Sequence, residues 1–216
     1  MTLTGPRLAP FSRQPPRQLV ILAHGYGSNG DDLIGLASMW HAALPDAAFV
    51  APNAPFPCMG AGYQWFGLSS LSPAELLSGV EAAAPIFNDF IDQELARTGL
   101  TEDDLLLVGF SQGTMLSLHV APRRVRAVAG IVAFSGMLVA PERLGPELQS
   151  RPPVLLVHGE ADNVIPVRAM THARSLLQGL EFDVESHISP GLAHSVDQIG
   201  LELAAAFAQR VLLTGR

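Results

Sequence analysis

The sequence predicts an α/β fold with a mostly parallel central sheet flanked by helices on both faces. Two observations carry this. Short apolar runs alternate with longer stretches of helical periodicity, the pattern of successive strand–helix–strand units. The runs "QLVILAH" (18–24), "DLLLVGF" (104–110) and "PPVLLVHG" (152–159) are also apolar at consecutive positions rather than at every second one. A strand of that composition is buried on both faces, as in a parallel sheet covered by helices.

The elements follow in order. After the strand at 18–24, "DDLIGLASMWHAAL" (31–44) has apolar residues at helical spacing and stops at Pro45. "AAFVAP" (47–52) reads as the second strand, and the Pro/Gly-rich stretch 53–70 as a loop. Ser72, Pro73 and Glu75 form an N-cap, a first helical position and a capping-box partner for a helix running to about Arg97. The strand at 104–110, a helix at 112–121 and strands at 126–136 and 152–159 come next. A helix at 167–178, an alternating strand at 181–188 and a helix at 195–213 complete the chain. Residues 1–17, with their prolines and arginines, read as an extended, poorly packed lead-in, and 18–216 as a single domain.

Bulk properties narrow the function classes. A chain of 216 residues that is 48% hydrophobic suits one well-buried domain. Its net charge of -7 repels phosphate backbones, so no nucleic acid partner is expected. The single cysteine, Cys58, excludes a disulfide framework within one chain and a cysteine metal cluster, and reads as structural. No segment resembles a secretory signal, and no apolar stretch of membrane-spanning length is free of Gly, Pro or charge. A soluble, cytoplasmic protein without stable membrane insertion is the expectation.

In a sheet of this kind, ligands bind beyond the carboxyl ends of the strands. Strand 104–110 ends in Gly109-Phe110-Ser111-Gln112-Gly113, a G-x-S-x-G pattern between a buried strand and a helix. The chemistry demands that setting, because a sharp turn holds the serine hydroxyl out toward a base while the helix N-terminus favours negative charge. The plainer reading is a serine N-cap with glycines for close packing. A nucleophile needs a base, and the base an orienting acid, in the chain order Ser, Asp/Glu, His. Asp162 and Glu160 both follow strand 152–159, and Asp162, further into the loop, is favoured. His194 follows the last strand in a turn, whereas His119, His158, His172 and His187 read as structural. Oxyanion donors are expected from the N–H of Gln112 and from the loop "HGYGSNG", where Gly25 and Gly27 would present the N–H of Tyr26.

That loop also spells G-x-G-x-x-G over Gly25, Gly27 and Gly30, the letters of a dinucleotide site. Such a site needs a carboxylate at the end of the next strand. That end reads Ala51-Pro52-Asn53, and Asp46 lies at the wrong end of the strand. Asp31 and Asp32 would also repel a pyrophosphate, so the match is in letters alone.

Taken together, "AHGYGSNGDDL", Gly109–Gly113, "HGEADNVIP" and "GLAHS" resemble the carboxylesterase / acyl-protein thioesterase (phospholipase/carboxylesterase) family of small α/β-hydrolases, from about residue 18 to the C-terminus. The resemblance implies an α/β-hydrolase fold with minimal or no cap domain. It implies a serine hydrolase of carboxylic esters of short-to-medium acyl chains, with an acyl-protein thioesterase or lysophospholipase as the alternative. A non-catalytic hydrolase-fold binder is a distant third reading. No metal and no organic cofactor is implied. The nucleophile falls on Ser111, the acid on Asp162, the base on His194, and the oxyanion donors on Tyr26 and Gln112. Small-molecule or lipid esters and thioesters are the implied substrates, and a homodimer is left open. Trp65, Phe66 and Leu68 would border an acyl pocket, or else form a cluster covering the core. Two positions depart from the family pattern: Ala193, where Gly is frequent, and Gly67, where an acidic residue is frequent; the second puts substrate preference in doubt.

Overall fold

The computed structural model describes residues 2–58, 60 and 62–213. Met1, Met59, Ala61 and 214–216, assigned above to the lead-in, the Pro/Gly-rich loop and the end of the domain, lie outside the described residues. The elements in chain order are β1 (Arg7–Leu8), β2 (Gln18–Ala23), α1 (Gly30–Trp40), β3 (Ala47–Val50), β4 (Phe56–Pro57), β5 (Tyr63–Gln64), α2 (Pro73–Thr98), β6 (Leu105–Phe110), α3 (Gln112–Val120), β7 (Gly130–Phe134), α4 (Pro141–Glu147), β8 (Val154–Gly159), α5 (Arg168–Gly179), β9 (Val184–Ser189) and α6 (Gln198–Leu213). Seven strands form one sheet in the order β1-β3-β2-β6-β7-β8-β9. All neighbours run parallel except β1, which is antiparallel to β3.

The apolar runs are explained by what covers them. Leu19 and Ile21 of β2 and Leu105 and Leu107 of β6 point into one core cluster, with Phe87 of α2, Leu116 of α3 and Met170 of α5. Their neighbours Val20, Leu22, Leu106 and Val108 point to the opposite face, against Trp40 of α1 and Phe207 and Ala208 of α6. The period of two is present, but both halves are buried, so it is invisible as alternation in the sequence.

Three local expectations are corrected. The lead-in is tied down at its start, although most of residues 9–17 are exposed: Leu3 is buried, Asn53 donates to the Thr4 carbonyl at 2.7 Å and Ala51 to that of Pro6 at 3.1 Å. Arg7 anchors it at 2.6 Å to Glu94, a buried carboxylate of α2 that also holds Arg97 at 2.7 Å. The capping box of α2 is only half made. Ser72 accepts from the Glu75 N–H, but the Glu75 carboxylate turns back to the hydroxyls and N–H groups of Ser69 and Ser70. Those bonds, the Ser70 hydroxyl first, hold its pKa down to about 2. The loop 53–70 contains the two-stranded hairpin β4–β5, whose strands are too short to show a period. The stretch between the strands at 126–136 and 152–159, given no element above, contains the short helix α4; it buries only Leu144, so it shows no apolar stripe.

Among the buried histidines, His119 has a defined pH window. Burial is the largest influence on His119 of α3, with the nearby Arg123 adding to it, and together they lower its pKa from 6.5 to about 4. The unfolded chain therefore binds a proton at this residue as pH falls below 6.5, while the folded protein does not until about 4. Stability from this residue is full above that window and lost progressively as pH falls through it. Denaturant unfolding measured from pH 7 to 4.5 should show declining stability, with a shallower decline in His119→Leu.

Candidate active site

The carboxyl ends of the parallel strands meet along one rim. There Ser111 sits between β6 and α3 with φ 54° and ψ −112°, a left-handed backbone that costs a non-glycine residue about 1–3 kcal/mol. The surroundings hold it. Its N–H donates to the Phe134 carbonyl at 2.9 Å, and its carbonyl accepts from Met115 at 3.1 Å. The flanking glycines are required by space, since a Cβ on Gly113 would lie 2.0 Å from the Ala23 carbonyl oxygen and one on Gly109 2.5 Å from the Thr114 nitrogen.

The structure brings Ser111, His194 and Asp162 together. His194 Nε2 lies 3.0 Å from Ser111 Oγ, and His194 Nδ1 lies 2.7 Å from Asp162 Oδ2. Asp162 Oδ1 accepts the N–H groups of Val164 and Ile165 at 2.9 and 2.8 Å. Burial alone would raise the pKa of Asp162, but the bonds from His194, Ile165 and Val164 outweigh it and hold the carboxyl below its ordinary value. An ionised Asp162 favours the Nδ1–H tautomer of His194 and leaves Nε2 free to accept the serine proton. Glu160, the alternative acid, instead accepts the Gly191 N–H at 2.9 Å. His158 of β8 keeps a structural place next to the acid: its Nε2–H donates to the Ile165 carbonyl at 2.7 Å and lies 3.3 Å from Asp162 Oδ2.

The loop after β2 carries a role that sequence reading missed. His24 is fully buried, and burial lowers its pKa. Its Nδ1–H donates to the Gly25 carbonyl at 2.7 Å, and its Nε2 accepts from Ala54 at 3.0 Å. The Gly25 carbonyl and the Tyr26 N–H belong to one planar trans peptide, so fixing the carbonyl also fixes the N–H, which points the opposite way. Gly25 lies against the nucleophile turn: a Cβ there would be 3.2 Å from the Ser111 Cβ. Tyr26 itself is exposed, and a hydrogen bond with the Cys58 thiol raises its phenol pKa. Gln112 opens α3, where N–H groups lack helical partners. Its buried side chain also accepts from the Trp65 N–H and donates to the Phe66 carbonyl, both at 2.8 Å. The signal for both residues was their polarity at wholly buried positions, which only the structure reveals.

The pocket assignment is corrected. Trp65 and Phe66 are 0% and 4% exposed. The Trp65 indole N–H donates to the His24 carbonyl at 2.9 Å and its ring meets Phe87 edge-on, so both side chains serve the core. Leu68 is half-buried against the same cluster. The apolar space near the site lies elsewhere. Cavities of about 410 and 600 Å³ share Leu71 and Met137 as common walls, and the second reaches Ile165 beside the acid loop. A separate cavity of about 240 Å³ borders His194 on the α1 side.

The chain matches known proteins over most of its length. The family model described as phospholipase/carboxylesterase matches residues 10–212. An acyl-protein thioesterase 1 of Neurospora crassa is 26% identical, over 87% of this chain and 88% of its own. A probable carboxylesterase of Oryza sativa subsp. japonica is 32% identical, over 84% of this chain and 73% of its own. The crystal structure of esterase PE8 is 44% identical with a TM-score of 0.94, covering 98% of this chain and 100% of that one.

Replacing His24 with Leu leaves the Ala54 N–H without its acceptor, while the Gly25 carbonyl keeps only the longer bond from the Ser28 N–H at 3.3 Å. One buried donor left unpaired should lower the unfolding free energy by about 1–3 kcal/mol, read by urea denaturation.

Proposed function

The chain belongs to the phospholipase/carboxylesterase family, and on that premise we propose that it is a carboxylesterase cleaving esters of short-to-medium acyl chains through Ser111, His194 and Asp162. The coarser statement, an ester or thioester hydrolase, follows from the family and its named relatives. The observation that carries the finer reading is the unbroken hydrogen-bond relay, 3.0 Å from Ser111 to His194 and 2.7 Å from His194 to Asp162, built on a strained turn.

In this mechanism Ser111 Oγ attacks the ester carbonyl carbon while its proton passes to His194 Nε2. Asp162 stabilises the imidazolium through Nδ1–H. The carbonyl oxygen gathers negative charge and is met by the N–H groups of Tyr26 and Gln112, each such donor being worth about 3 kcal/mol in the transition state. His194 then protonates the departing alcohol, leaving the acyl group on Ser111. A water activated by the same base attacks the acyl carbon and frees the acid and the serine.

The acyl chain is assigned to the space walled by Leu71 and Met137. Glu75, by holding Ser69 and Ser70, fixes the short loop that carries Leu71. Thioester hydrolysis, favoured by the relatives named acyl-protein thioesterase, uses the same steps with a thiol leaving group.

Three measurements test this. Ser111→Ala should hydrolyse a p-nitrophenyl ester at least about 1000-fold more slowly than wild type, and should escape labelling by a fluorophosphonate; a near wild-type rate overturns the reading. Along a series of p-nitrophenyl esters, kcat/KM should rise about fourfold per buried methylene and then level off where the cavity ends. Matched oxoester and thioester pairs then separate carboxylesterase from thioesterase preference.

A further inference from the structure

The mechanism above leaves unused a cavity that borders His194. It is the space of about 240 Å³ between α1 and the loop carrying His194, walled by Leu33, Leu36, Phe110 and Phe134, with His194 and Asp32 as its ionisable members. None of its lining residues is shared with the two cavities that meet at Leu71 and Met137. His194 is the group that returns a proton to the leaving alcohol, so a cavity that borders His194 and shares no wall with the acyl space is placed to receive that alcohol. This division of the substrate rests on the hydrolase reading; the chemistry of the cavity does not.

Asp32 stands in the first turn of α1, its N–H held by Asn29 at 3.0 Å. Its carboxylate accepts the Ser28 hydroxyl at 2.6 Å, a neutral donor that orients the charge without cancelling it. The helix N-terminus offsets part of that charge. What remains is an apolar, partly aromatic chamber, open to solvent, with one exposed carboxylate on its wall. An uncharged alcohol chain would gain at most a hydrogen bond from the carboxylate. An ammonium head with apolar surface matches all three features, because quaternary ammonium groups favour aromatic faces and carboxylates together. The volume equals that of about eight liquid waters, ample for a head of choline size.

We propose that the Asp32 chamber is a leaving-group subsite that selects esters whose alcohol carries a cationic ammonium head.

The test uses two butyrate esters of the same shape, that of choline and that of 3,3-dimethylbutanol, which differ only in a charged nitrogen replacing a carbon. Wild type should favour the choline ester by about fivefold in kcat/KM at low salt, and the ratio should shrink as salt is added. The ratio should fall to about one in Asp32→Asn and return in Asp32→Glu. A ratio of one in wild type, or an unchanged ratio in Asp32→Asn, overturns the proposal. Binding of free choline, followed by chemical-shift titration, needs no turnover. Saturable shifts at Leu36 and Phe110 that vanish in Asp32→Asn support the subsite, and their absence in wild type overturns it. If choline binds in this way while no ester is hydrolysed, the hydrolase reading fails and the subsite stands.

Discussion

The left-handed backbone of Ser111 is the constraint around which the rest of the molecule is arranged. A turn of this kind relaxes unless both of its arms are immovable. One arm is β6, which lies between β2 and β7 in the sheet. The other is α3, in which every residue from Gln112 to Val120 is buried. A helix with no exposed face cannot tilt or slide to relieve strain at its N-terminus. Gly109 and Gly113 then let the strand, the turn and the helix approach more closely than any side chain permits. The strain is small beside the packing that confines it, so the hydroxyl is presented at fixed geometry.

A polar network extends this rigidity to loops far away in the sequence. Gln112 ties the segment at Trp65 and Phe66 to the start of α3. Trp65 ties the same segment to His24, and His24 orients the peptide that carries the Tyr26 N–H. Gly27 and Tyr63 add a direct backbone link, with the Gly27 N–H donating to the Tyr63 carbonyl at 2.9 Å. In a low-dielectric interior each bond in such a chain is strong, and each missing partner is expensive. The two candidate oxyanion donors are thus fixed by one set of buried amide and imidazole groups rather than by two independent loops.

How much of this was legible in the sequence depended on the kind of signal. The sheet and most helices were, because continuous apolar runs and helical stripes are long enough to read. The Ser111, Asp162 and His194 positions were, because each follows a recognisable strand and their chain order limits the choice. The hairpin β4–β5 and the helix α4 were not, because neither buries enough to leave a periodic trace. Trp65 and Phe66 could not be divided between pocket and core, since an aromatic side chain in a loop has the same composition in either role. His24 read as part of a glycine loop, and nothing local reveals that its ring turns inward. Asp32 read as an unfavourable neighbour for a phosphate; only the fold shows the chamber it shares with His194.

The tied-down start of the lead-in has a consequence for solubility. β3 is four residues long, uncharged and buried throughout, and its outer edge is covered by β1 and the strand-like residues before it. Uncovered, those N–H and C=O groups would form a flat apolar edge of the kind that recruits strands from other molecules. The opposite edge, β9, is defended differently, by Glu185 and its ion pair with Arg210. The contact between Arg7 and Glu94 helps to hold β1 over that edge. Cleavage or displacement of the first few residues would leave the rim that bears Ser111 in place while opening the far edge of the sheet to fibre-like self-association.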